Sequence, residues 1–210
     1  MTQSLDTTHL FAIAAALGWA SGLRLYAVVF LTGMAGHLGW VALPSGLQVL
    51  QHPAMLWASG GLLAVEFLAD KVPWVDSLWD AVHTFIRIPA GAALAYSVFG
   101  VDQSTWATVA ALLGGTLAAT AHTAKATTRA AANTSPEPFS NIALSLAGDA
   151  LVPGMLWLSW QHPVWFFIAL AISLVVMVTV TVVLFKFLHG LGRKLRGHFM
   201  PTQASRVGGR

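Results

Sequence analysis

Three long stretches of the chain carry no charged side chain. Residues 25 to 65, 103 to 124 and 150 to 185 hold no Asp, Glu, Lys or Arg. No other feature constrains the fold as much. A helix needs about 20 apolar residues to cross roughly 30 Å of hydrocarbon, and each stretch is at least that long. Only 9% of the 210 residues are charged and 56% are hydrophobic, where a soluble domain carries about 25% charged residues. Low hydrophobicity, the signature of disorder, is absent. With no cysteine, a disulfide scaffold is excluded, as are thiol catalysis and iron–sulfur ligation. The formal charge of +3 is not arranged as a basic stripe, so no nucleic-acid partner is expected.

An open sheet cannot satisfy its backbone in lipid, and the alternation of a membrane barrel is missing. The expected fold class is therefore an all-α membrane protein of about six transmembrane helices. Turn signals place them at about 9–36, 53–71, 84–100, 104–130, 139–159 and 163–188. A short amphipathic interfacial helix is expected at about 74–87. Residues 1–190 form one polytopic domain, with possible halves at 9–100 and 104–188, and 191–210 form a basic cytoplasmic tail. No basic segment precedes the first apolar run, so no cleaved signal peptide is expected.

Both termini are expected in the cytoplasm. Ten of the eleven basic residues then lie at or near the inner face, as the positive-inside rule asks. Arg24 is the exception. Trp40, Trp57, Trp106 and Trp160 fall near the outer ends, as an aromatic belt would. The inner face and tail would attract anionic lipid. The sixth span is apolar all round and reads as a peripheral helix or the contact of a homo-oligomer.

The tripeptide Gln51-His52-Pro53 returns as Gln161-His162-Pro163, and upstream Ala35-Gly36-His37 faces Ala147-Gly148-Asp149. Each Gln-His-Pro copy precedes an apolar span. This suggests an internal repeat with broken helices, as in many transporters. The repeat is parallel unless one span is re-entrant.

Arg24 and Asp149 lie where charge costs at least about 2.5 kcal/mol, so each is the other's natural partner. Two readings stay open: a structural ion pair, or a midplane site for an ion or substrate. Glu66 and Asp70 share a helical face, and Lys71 follows. Asp76, Asp80 and His83 sit at spacings that could hold a divalent cation, that could form a solvated face, or that could pair with cations opposite. His122, Lys125 and Arg129 make a basic stripe fit for a phosphate or carboxylate, or for snorkelling to the interface. Small residues around the stripe suit a central helix.

The run Glu66-Phe67-Leu68-Ala69-Asp70-Lys71-Val72-Pro73-Trp74-Val75-Asp76-Ser77-Leu78-Trp79-Asp80 continues through His83-Thr84-Phe85-Ile86-Arg87-Ile88-Pro89-Ala90-Gly91. Gly22-Leu23-Arg24-Leu25-Tyr26, the Gly114-Gly115 pair with His122, Lys125 and Arg129, and Ser140-Asn141 with Ser145 and Asp149 accompany it. Together they resemble the bacterial membrane family catalogued as domain of unknown function 4126, over residues 10 to 190. The resemblance implies a bacterial inner-membrane protein and adds Asn141 to the candidate binding residues. It supplies no activity.

No phosphate loop, dinucleotide fingerprint, zinc-protease pattern or hydrolase elbow is present, so no cofactor beyond a divalent cation is suggested. Three functions remain: a transporter or channel-like permease for an ion or small anion, lipid-linked phosphate included; a membrane scaffold held by ion pairs; or a metal-dependent enzyme acting on lipid headgroups.

Overall fold

A computed structural model describes residues 5–72, 75–100, 103–134 and 138–199. Among them the chain is all helical: α1 (Thr7–His37), a 3-10 helix (Ser45–Gln51), α2 (Pro53–Ala69), α3 (Val75–Phe99), α4 (Ser104–Ala132), α5 (Pro138–Gln161) and α6 (Pro163–Phe199). Three stretches are long and apolar enough to cross a membrane, Thr7–His37, Ile142–Gln161 and Pro163–Gly190, while α2 is apolar but shorter.

Local chemistry fixes the boundaries. Asp6 caps α1 by accepting the His9 amide at 2.8 Å, and this bond holds its carboxyl below the ordinary value. Pro53 and Pro163 stand at first helical positions, where the missing N–H costs nothing. The His52 ring caps α2 by accepting the Ala54 amide. Gly39 and Gly100 take positive φ just beyond α1 and α3, which a side chain would resist.

Inside α1, Arg24 leaves the helical region, with φ −149° and ψ 81°. The neighbours on either side of this break show that α1 folds back on itself. In the first half, Phe11 packs on Phe99 and Trp106, and Gly18 lies against Gly91 and Gly114. That half runs along α4 and against α3. In the second half, Gly33 meets the carbonyl of Leu50, beside Leu56, and Phe30 meets Gly60. That half runs against α2. The 3-10 helix closes the circuit, because Gly46 abuts the Ser97 carbonyl. Both ends of α1 therefore lie beside the ends of α2 and α3 that hold Pro53 and Phe99. Arg24 occupies the opposite end of the hairpin.

The bundle thus has two unlike ends. Trp40, Trp57, Trp106, Trp157 and Trp165 are exposed at one. The other carries Asp70, Asp80, Lys125 and Arg129. The centre is built by near-backbone contact of α1, α3 and α4: a Cβ at Gly18 or Gly22 would strike the backbone of Gly114 or Ala118. Helix α6 lies outermost, with most of its side chains exposed.

Three expectations change. The first apolar span is broken at Arg24, and its two ends lie together. The interfacial helix at 74–87 and the span at 84–100 are one helix, α3, which runs through Pro89. The two Gln-His-Pro copies do open α2 and α6 at the same end, but the upstream echo fails, because His37 ends a helix while Asp149 lies inside one.

Candidate functional site

Arg24 is the only charge in the first 60 residues apart from Asp6, and its side chain is 2% exposed. Its Nη1 lies 2.6 Å from Asp70 Oδ2, and its Nε lies 2.9 Å from Asp149 Oδ1. Its Nη2 donates to the carbonyl and hydroxyl of Ser145. The break in α1 frees the Leu23 carbonyl from its helical partner, and Lys125 Nζ donates to it at 3.0 Å. Sequence reasoning paired Arg24 with Asp149. The pair exists, and Asp70, the residue that caps the end of α2, is the closer and drier partner.

Asp70 and Asp80 share their cations. Asp70 Oδ1 faces Arg129 Nη1 at 3.0 Å and Lys125 Nζ at 3.6 Å. Asp80 faces Lys125 at 3.2 Å, Arg87 at 2.7 Å and Arg129 at 3.8 Å. The side chains of the stripe from α4 therefore turn inward, as the paired-cation reading requires. Arg87 goes on to Glu66 at 2.5 Å, and neither side chain is exposed. Arg87 is the site residue that sequence reasoning missed. It stands seven residues after Asp80, on the same helical face, but it reads as a boundary charge.

Two hydrogen-bond chains surround the ion pairs. Arginine can only donate, so His122 Nδ1 accepts from Arg87 at 3.4 Å. Its Nε2–H then donates to Thr84 Oγ1 at 2.6 Å, and the Thr84 hydroxyl donates to the Asp80 carbonyl. His83 Nδ1–H donates to the Trp79 carbonyl at 2.7 Å, and the Tyr26 hydroxyl donates to Nε2 at 3.0 Å. These tautomers follow from the network. Both nitrogens of His83 are therefore taken, and Asp80 faces cations. Among the described residues, no group of three or more His, Asp or Glu is placed to hold a metal ion. The Asp76 and Asn141 side chains lie outside the described ones. Lys71 sits at the margin, donating to the Phe67 carbonyl at 3.1 Å, over the Phe67 ring and 4.0 Å from Asp149.

Three clefts lie along the bundle, and two of them reach this cluster. One of about 380 Å³ lies at the tryptophan end, among Leu31, Thr32, Trp157 and Trp160. The next, of about 540 Å³, shares Leu31 and Pro153 with it and reaches Arg24 and Asp149. The third, of about 290 Å³, reaches Arg24 from the other side, beside Lys125 and Arg129.

Apolar outer helices around an interior of paired charges define a helical membrane protein. The chain belongs to the family described as domain of unknown function (DUF4126), whose model matches residues 11–182. No curated protein and no solved structure matches it.

Proposed function

We propose that the protein is a permease for an anionic solute in the bacterial inner membrane. In this reading α1 is a re-entrant hairpin, α2 to α6 make five crossings, and the charged end faces the cytoplasm. That orientation keeps Lys71, Arg87, Lys125 and Arg129 inside. The observation that carries the reading is the position of Arg24. It sits at a helix break inside the bundle and lines a cleft on each side. Broken helices with charged residues between two cavities are how transporters build a central site. An anion entering either cleft meets a guanidinium that already holds two carboxylates, and competition with Asp149 would loosen its pair with Arg24.

Proteoliposomes loaded with potassium chloride, phosphate or acetate test this. At least one anion should leave faster than from protein-free vesicles. Asp149→Asn should change that rate while the protein stays folded. Folded protein that moves none of the three, and no lipid-linked phosphate either, sinks the proposal.

A scaffold is the second reading, favoured by the direct contact of Arg87 with Glu66 and of Arg24 with Asp70. Pairs this close and this buried can serve to lock helices together with no cargo.

A further inference from the structure

The cleft beside Lys125 has an unusual division of labour between its floor and its walls. Arg24, Lys125 and Arg129 line it, and among the described residues no acidic side chain does. Asp70 and Asp80, which hold these cations, are buried behind them. The walls are apolar, including Leu144 and Leu151 of α5 and Val176 of α6. Val176 is 54% exposed and belongs to the outermost helix. A free inorganic anion pressed against such walls would lose hydration without compensation. A lipid brings an apolar part of its own. The volume, about 290 Å³, is at the small end of ligand pockets, roughly 300–1,000 Å³. It has room for a headgroup but not for acyl chains, which would continue over the exposed valines and isoleucines of α6. The basic floor lies toward the charged end, where headgroups reside.

We infer that this cleft takes the phosphate of an anionic phospholipid, entering sideways between α4, α5 and α6, and that such a lipid is the cargo. The cargo statement rests on the permease reading. Three guanidinium and ammonium groups supply charge-assisted donors to the phosphate oxygens, and the apolar walls seat the glycerol end.

Proteoliposomes carrying a trace of headgroup- or chain-labelled fluorescent lipid measure transbilayer movement as loss of signal to an impermeant quencher. Labelled phosphatidylglycerol should cross at least about tenfold faster than labelled phosphatidylcholine. Val176→Trp, which fills the cleft from an exposed position and touches no ion pair, should cut that rate by about tenfold with an unchanged melting temperature. Inorganic phosphate that moves while neither lipid does overturns the lipid assignment and leaves the permease standing. Equal movement of the two lipids, or indifference to Val176→Trp, removes headgroup recognition in this cleft. Movement of no probe at all overturns both readings together.

Discussion

Arg24 Nη1 lies 2.6 Å from Asp70 Oδ2, and the two side chains are 2% and 0% exposed. The pair joins the turning point of α1 to the end of α2. Removing one partner of such a pair strands the other, which costs about 3–5 kcal/mol. Arg24→Gln should therefore lower the melting temperature of the detergent-solubilised protein sharply. Adding Asp70→Asn should recover more of the loss than adding Asp149→Asn, because Asp149 is 25% exposed and water can serve it. Equal recovery from the two second changes would show that Asp70 is not the dominant partner.

Arg87 offers a cleaner test of pairing against packing. Arg87→Met leaves Glu66 buried without its cation and should destabilise by about 3–5 kcal/mol. Glu66→Leu in the same chain should restore most of this, since well-packed apolar residues often match a buried ion pair. Unfolding followed by tryptophan fluorescence reads both steps. A double variant no better than Arg87→Met alone would contradict the assignment.

Close approach of the central helices predicts opposite outcomes for two glycines. A Cβ at Gly18 would meet the backbone of Gly114, while a Cβ at Gly61 meets nothing within 4 Å. Gly18→Ala should destabilise by about 1–3 kcal/mol through overpacking. Gly61→Ala, in the same kind of helical setting, should stabilise by about 0.5–1 kcal/mol. Similar melting curves for the two variants would refute the packing described.

The absence of cysteine makes the topology directly readable by single-cysteine labelling. In intact cells an impermeant maleimide should reach Thr8→Cys and Gly39→Cys from outside. Thr134→Cys should label only after permeabilisation. Six crossings with both termini in the cytoplasm would instead protect Thr8→Cys until the cells are opened.

The sequence reveals why charge must be paired here and names Asp149 as a partner of Arg24, but not every partner. Arg24 announces itself because it interrupts an apolar stretch, and Asp149 stands out for the same reason. Asp70 is legible beside Glu66 as a candidate, but its pairing with Arg24 is not, since a carboxylate followed by a lysine, with a proline close behind, reads as a helix end. Arg87 is hidden in the same way. The stripe of His122, Lys125 and Arg129 is legible as one face of a helix, and the small residues around it correctly mark α4 as central. The reversal of α1 is the feature that periodicity misses. Gly18 and Gly22 look like the natural places to break, but they are used for contact with α4, and the helix opens at the arginine between its partners. Only contacts distant in sequence, such as Gly46 with Ser97, require the chain to turn back.

The fold-back also has an electrical consequence. In the permease reading, water reaching Arg24 through the clefts would thin the insulating layer to the few ångströms around Arg24, Asp70 and Asp149. The membrane voltage would then fall across that short stretch instead of the whole bilayer. Carrying one elementary charge through 100 mV is worth about 2.3 kcal/mol, and most of that work would be done at these three side chains.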